Sequence, residues 1–395
     1  MTRYTGPAEI DTVVVGGGQA GLAVGHYLAK KGRPFVILDA NARVGDAWRN
    51  RWDSLLLFTP ARFDGLPGMR FPASGGTFIG KDDMADYLES YVGRFELPVH
   101  NGVAVTRLSR DGSAFLLSTT GGDIRASNVV VAMGNHQVPW TPAFAEELDA
   151  GIRQLHSKHY RNPGQLREGP VLLVGVGNSG ADIAMEVVRD HPTWLAGRES
   201  GAVPFRIEPF VARNGLIRVV RFVGQHVLTV RTPLGRKLRP RLLTRAAPLV
   251  RVKPKDLVAA GVERVGRVVA VQDGLPVLDD GRVLEPANVI WCTGYRPGFS
   301  WIDLPLLGDR QEPAHQAGVV AQAPGLYFVG LRFLYAMTSD TITGMQRDAK
   351  RVVGQLDRRA PARTPALPAA PAATATLTGP IALPDQQQRH PDRVA

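Results

Sequence analysis

Two stretches of this 395-residue chain obey one rule: an apolar run, then G-x-G-x-x-G, then a helical pattern. In the first, Thr12 to Val15 leads into Gly16-Gly17-Gly18-Gln19-Ala20-Gly21. In the second, Val171 to Val174 leads into Gly175-Val176-Gly177-Asn178-Ser179-Gly180. The first glycine makes the turn from strand to helix, and the second lets backbone approach a pyrophosphate at the helix N-terminus. The third allows helix and strand to pack closely. One such match is weak, because glycine turns are common. Two matches, each between a strand and a helix, point to an α/β protein with two Rossmann-like dinucleotide-binding domains.

The next strand of each unit ends beside the adenosine ribose of the bound nucleotide. The fingerprints are offset by 159 residues, and the same offset carries Asp39, at the end of the run Pro34 to Asp39, onto Arg198, just past Thr193 to Gly197. A carboxylate accepts hydrogen bonds from ribose hydroxyls, whereas a guanidinium pairs with a 2′-phosphate. Asp39 therefore suits FAD and Arg198 suits NADPH. The plainer alternatives are that Asp39 caps a helix and that Arg198 is a solvated loop arginine.

With 44% apolar and 21% charged residues the chain is globular, and its length suits two domains. Its single cysteine, Cys292, excludes a Cys-x-x-Cys redox pair and hence dithiol reductase chemistry. No H-E-x-x-H, paired Cys/His cluster or G-x-S-x-G is present, so a metal site and acyl transfer have no support and no catalytic acid or base is singled out. The start of the chain lacks a secretory pattern and no apolar run reaches the roughly 20 residues of a membrane span, so a cytoplasmic protein is expected.

The net charge of +11 is concentrated. Between Phe205 and Lys255 stand thirteen Arg or Lys and one acid, Glu208. This segment could cover the NADPH cleft, lie on an anionic membrane surface as a peripheral contact, or bind nucleic acid. The last is disfavoured because no stacking aromatics are interleaved with the charges.

Short strand-like runs at Val103 to Leu108, Phe115 to Ser118 and Val129 to Ala132, and at Arg267 to Gln272 and Val289 to Cys292, are expected to complete the two sheets. A helical pattern returns at Ser339 to Leu356. The expected division is a first part of the FAD domain at 1–161, an inserted NADPH domain at 162–285 and a second part of the FAD domain at 286–355. A Pro/Ala-rich tail expected to be disordered follows at 356–395.

From about Ile10 to Val353 the chain resembles the flavin-containing monooxygenase family, including the plant indole-pyruvate monooxygenases and their bacterial relatives. The resemblance rests on ordered motifs: Val44-Gly45-Asp46-Ala47-Trp48-Arg49, Trp52-Asp53-Ser54-Leu55 and Thr59-Pro60 beside the flavin, the Gly175 to Gly180 fingerprint, Val129 to Gly134 and Val289 to Tyr295, and Pro324 to Gly330. The family motif F-x-G-x-x-x-H-x-x-x-Y/F is kept in part. His156 and Tyr160 hold the spacing, while Ala150 and Ile152 replace the Phe and the Gly, and Gly151 stands one place early. Baeyer-Villiger relatives carry Trp where Tyr160 stands, so ester-forming oxygenation is the less favoured chemistry.

The resemblance implies a glutathione-reductase-like fold and FAD held by Gly16, Gly18, Gln19, Ala20, Gly21, Asp39, Trp48 and Arg49. It implies NADPH held by Gly175, Gly177, Asn178, Ser179, Gly180 and Arg198. Asn178 and Ser179 also read as ordinary helix-start residues, Trp48 and Trp52 as core aromatics, and His156 as a packed linker histidine. The implied activity is monooxygenation of a small organic substrate at nitrogen, sulfur or an α-keto acid, with O2 reacting at flavin C4a. The alternatives are an NADPH-dependent flavin reductase serving a quinone or protein partner, and a nucleotide-sensing protein without turnover.

Overall fold

Strands of a parallel sheet are buried on both faces and so read as unbroken apolar runs. In the computed structural model, which describes residues 4–198, 201–244, 247–306 and 313–359, the first run forms such a strand. Glu9–Val15 buries six of its seven residues and lies between Phe35–Asp39 and Gly122–Val131, with Val13 opposite both Val36 and Val129. The sheet runs in the order Val99–Asn101, Phe35–Asp39, Glu9–Val15, Gly122–Val131, Ala114–Thr119, Val105–Asp111, and Leu326–Phe328 also pairs with Gly122–Val131. Its fingerprint side is parallel, and its far side is an antiparallel meander.

Each face of this sheet is covered. Leu22 and Leu28 of helix Gln19–Lys30, Tyr91 of helix Lys81–Phe95 and Val352 of helix Ile342–Asp357 pack with Ile37 on one face. Phe115, Val129 and Phe328 pack with Phe299 and Ile302 on the other. Burying one such side chain contributes about 1.5–3 kcal/mol, so both layers are needed to hold the strand ends that carry the glycine turn.

The second sheet is wholly parallel, in the order Arg153–His156, Asn288–Trp291, Val171–Val174, Thr193–Ala196, Glu263–Val265. Helix Asn178–Val187 covers it. The expectation for Arg267 to Gln272 is corrected here. Val268–Gln272 instead pairs antiparallel with Leu275–Leu278 in a separate two-stranded ribbon. Asp273 and Gly274 both have positive φ (50° and 78°), the geometry of a tight hairpin that folds the strand back on its successor. Three of its five residues are also exposed, which a strand inside a parallel sheet would not tolerate. Glu263–Val265 takes the edge position.

The basic segment is largely helical. Ile217–Phe222 is flanked by π-helical turns at Ala212–Leu216 and Val223–Val227, and Pro233–Thr244 follows. It leaves and re-enters the second sheet yet bonds to the first half. Arg213 donates to the Gly76 carbonyl (3.0 Å), the Val230 amide to Tyr335 (2.9 Å) and Arg239 Nε to Phe333 (3.2 Å). Arg251 pairs with the buried Asp182 of the second half at 3.0 Å, so the segment is a tie between the two. Phe210 and Phe222 on it are 74% and 61% exposed. Among the described residues no helix is long and apolar enough to cross a membrane. The Pro/Ala-rich tail expected to be disordered from 356 starts later, because Leu356 and Asp357 end the last helix and Leu356 is packed in the core; from position 360 onward it lies outside the described residues.

Candidate functional site

The two fingerprints adopt one geometry. Gly16 and Gly175 sit at φ 109° and 117°, a region closed to side chains, and each begins the turn out of its strand. A Cβ on Gly21 would collide with the Gly16 carbonyl oxygen, and one on Gly180 with that of Gly175. Gly18 and Gly177 differ: an added Cβ would meet nothing within 4 Å at either. Each precedes its helix as N-cap, with no side-chain cap and no acid in the first turn. First-turn amides without a capping side chain, at the positive end of a helix and beside open space, form a cradle for an anion. The donor set fits a pyrophosphate at both places.

At the first fingerprint the Asp39 carboxylate is fixed and 8% exposed. One oxygen accepts from the Gly17 amide (2.5 Å), the other from the backbone and side chain of Asn41 (2.7 and 2.8 Å). It caps no helix, so that alternative falls away, and its two oxygens stand at the strand end beside the glycine turn. Gln19 accepts from Trp48 Nε1 at 3.1 Å, while a Cβ on Gly330 would lie 3.2 Å from Ala20. The fold thus gathers Trp48 and the Pro324 to Gly330 segment around the first cradle. Arg49 is engaged elsewhere, bonding the Val44 carbonyl (2.7 Å) and pairing with Asp86 (2.8 Å) and Glu89 (3.1 Å). Trp52 is a buried core residue of the other half.

At the second fingerprint Asn178 binds protein with both ends of its amide, accepting from Val250 (2.9 Å) and donating to Pro248 (3.1 Å). It anchors the basic segment to the cradle. Ser179 is half-buried in the first turn. Arg198 lies exposed just after Gly197, beyond the end of strand Thr193–Ala196.

Between the sheets the chain crosses twice, and the crossings pair as a ribbon, Val138–Pro139 with Tyr295–Arg296. Here His156 accepts from the Lys158 amide at Nδ1 (3.1 Å), which leaves Nε2 to donate to the Gly294 carbonyl (3.0 Å). Its ring lies 5.2 Å from that of Tyr295, which also contacts His136 at 4.9 Å and receives a bond from Arg51 (3.2 Å). Burial lowers the pKa of both histidines, that of His136 to about 4 with help from Arg51 and Arg332. Neutral, doubly bonded His156 is a fastener of the crossing. Tyr160 is fully buried against Glu186, whose carboxyl is raised chiefly by burial and accepts from Ser54 (2.9 Å).

One group escaped the sequence reading. Asp64 is fully buried four residues past Pro60. Burial lifts its carboxyl to about 7, opposed by the Thr59 hydroxyl that donates to it and by the Arg221 guanidinium, itself stacked 4.1 Å from the Phe63 ring. No motif marks it, because the cation that acts on it, Arg221, comes from the basic segment far along the chain. A folded-state pKa above the unfolded value means stability is lost as pH rises from about 4 to about 7, since the native carboxyl must then ionise without water. Asp64→Asn removes that loss. Its stability advantage over the wild type is expected to grow by about 2–3 kcal/mol between pH 5 and pH 8. Chemical unfolding at the two pH values measures it, and parallel wild-type and variant curves would refute a neutral Asp64.

Among the described residues no group of three or more His, Cys, Asp or Glu is placed to hold a metal. Residues 13–200 match the family described as pyridine nucleotide-disulphide oxidoreductase. With one cysteine in the chain, that match speaks for the nucleotide-binding fold and not for disulfide chemistry. The chain is 37% identical to an uncharacterized CzcO-like oxidoreductase of Geobacillus kaustophilus, over 88% of this chain and 98% of that protein. It is 27% identical to the indole-3-pyruvate monooxygenase YUCCA1 of Oryza sativa, over 73% and 78% of the two. The solved flavin-containing monooxygenase from Stenotrophomonas maltophilia is 30% identical, covering 89% of this chain and 99% of that one with a TM-score of 0.72. The paired cradles on a shared two-sheet fold, with this likeness along almost the whole of a solved relative, place the chain in the flavin-containing monooxygenase family, whose enzymes work with FAD and NADPH.

Proposed function

We propose that this enzyme uses NADPH and O2 to oxygenate a small organic substrate at nitrogen, sulfur or an α-keto acid. FAD would occupy the first cradle and NADPH the second. The observation that carries the reading is the pair of identical cradles whose neighbouring strand ends bear opposite charge, Asp39 and Arg198. Bound in the cradles marked by Asp39 and Arg198, the two nucleotides would supply hydride transfer and electrons for the reduction of oxygen.

The chain's own part is to bind, orient and shield. Gly16, Gly18 and Gly21 bring the Gln19–Lys30 helix amides to one pyrophosphate, while Ala20 and Gln19 hold the neighbouring Gly330 and Trp48 in place. Gly175, Gly177 and Gly180 do the same for the other, and Asn178 and Ser179 occupy the first turn of its helix. Asp39 would receive ribose hydroxyls, and Arg198 a 2′-phosphate. Arg49 positions the loop beside the flavin through Asp86 and Glu89. The NADPH half would be wider than the expected 162–285, taking in the whole five-stranded sheet because its strands Arg153–His156 and Asn288–Trp291 lie outside those bounds, and the FAD half would be the remaining described chain. The basic segment, fastened to Gly76, Phe333 and Asp182, would close one side of the space between them and keep water out.

The experiment is NADPH oxidation under 18O2 across amines, thioethers, ketones and indole-pyruvate. Substrate-stimulated turnover with one labelled oxygen in the product is expected. Stimulation by quinones alone, with no label in any product, would make the enzyme an NADPH-dependent reductase.

A further inference from the structure

Away from both fingerprints, helix Pro233–Thr244, the turn at His315–Val319 and the last helix line an open-mouthed cavity of about 600 Å³, at which Arg231 and Arg236 are exposed. Specific small-molecule sites span roughly 300–1,000 Å³. Four arginines line it: Arg231 from the loop before the first helix, Arg236 and Arg239 from that helix, and Arg351 from the last one. No fingerprint residue takes part, and no acid stands among the described lining residues.

These guanidiniums converge from two separate parts of the sequence, 231–239 and the last helix, and their mutual repulsion works against the fold. Their internal compensation is slight. Arg351 pairs with Asp348 at 3.4 Å, but Asp348 is fully buried and its carboxyl is shifted upward, mainly by burial. The Nε of Arg351 is buried without a hydrogen-bond partner. Arg236 and Arg239 each give one bond to a backbone carbonyl, those of Arg231 and Phe333, which leaves further donors in each fork. Tyr335 is ringed by cations, with Arg351 at 4.5 Å, Arg347 at 4.7 Å and Arg231 at 5.8 Å from its centroid. His315 accepts from the Gly318 amide at Nδ1 (3.2 Å), so its neutral ring carries the proton at Nε2. Burial together with Arg239 and Arg351 holds its pKa near 4.

Among the described residues these forked donors are only partly neutralised, and such a set suits an occupant with more than one negative charge and several acceptor oxygens. A phosphate monoester offers both in one tetrahedral head, whereas a single carboxylate offers one charge and two oxygens. The walls are also partly apolar, through Val230, Pro240 and Leu334, and would receive an organic group attached to that head. We propose that this cavity is a second ligand site that binds a small phosphate-bearing organic molecule, separate from the two nucleotide cradles.

The test uses FAD-loaded enzyme saturated with NADP+, so that both cradles are filled, titrated calorimetrically with phenyl phosphate, orthophosphate, benzoate and NaCl at matched ionic strength. Phenyl phosphate is expected to bind at one site, more tightly than orthophosphate because of the apolar wall and more tightly than benzoate because of the charge. Arg231→Gln and Arg236→Gln should each weaken it about tenfold, the size of one lost charge-assisted contact. Arg267→Gln, an exposed arginine outside the cavity, should leave it unchanged. Orthophosphate binding as well as phenyl phosphate would overturn the organic ligand in favour of a free-phosphate site. Benzoate binding as well as phenyl phosphate would overturn the phosphate assignment. No saturable binding, or equal binding by all three arginine variants, would overturn the site altogether. Thermal unfolding of each variant checks that a lost affinity is not a lost fold.

Discussion

Gly18→Val is expected to yield folded protein carrying about a tenth or less of the wild-type FAD, because its Cβ would meet no protein atom within 4 Å and the new side chain would stand in the place of a pyrophosphate. The design rests on the contrast within each fingerprint. A Cβ on Gly21 would strike the Gly16 carbonyl, so its loss of flavin would say only that the turn had been wrecked. Gly18 is free of that ambiguity, and its twin Gly177 offers the matching experiment. Gly177→Val should retain FAD and raise KM for NADPH by about tenfold or more. The ratio of flavin absorbance to protein, with far-ultraviolet circular dichroism as the folding control, reads the first. Steady-state kinetics reads the second. Normal flavin content in Gly18→Val would remove FAD from the N-terminal cradle, and loss of flavin from both variants would undo the division of labour.

Arg198→Ala should weaken NADPH by roughly 1–3 kcal/mol, the range of a lost charge-assisted contact to phosphate, and change the NADH constant less than about twofold. Those figures correspond to about 5- to 150-fold in KM where hydride transfer is slow against release. The exposure of Arg198 places the effect toward the lower end, since water screens the pair. Raising salt should shrink the NADPH preference of the wild type and leave that of the variant flat. Equal losses for the two nucleotides would mean that Arg198 meets no 2′-phosphate.

The cradles were legible because everything they need is local: strand, turn and helix are consecutive, and glycine is the one residue that allows the turn. The strand Arg153–His156 was not legible. Its four residues carry a single aliphatic side chain, and its only partner, Asn288–Trp291, lies more than 130 positions away. Val268–Gln272 showed the opposite problem, an apolar run that looked like sheet and was claimed by the hairpin turn at Asp273 and Gly274. Arg49 matched a motif, yet its charge is taken up by Asp86 and Glu89 on a helix that no pattern tied to it. Asp64 and the arginine-lined cavity belong to the same class. Each takes arginines from the basic segment, and a composition count could register that segment's charge but not its destination.

The pairing of Leu326 with Val129 also dictates an order of assembly on the ribosome. The second sheet is complete in sequence once Trp291 has been made, and all five of its strands lie in one uninterrupted stretch. The first sheet begins earlier but waits for Leu326–Phe328 and for the helix Ile342–Asp357, which packs on Gln19–Lys30. At ordinary translation speeds of about 5–20 residues per second, nearly two hundred residues separate the two partners by about 10–40 s. Throughout that interval the apolar flank of Val129, Val130 and Val131 is without its final neighbour, so the half made first is the last to close.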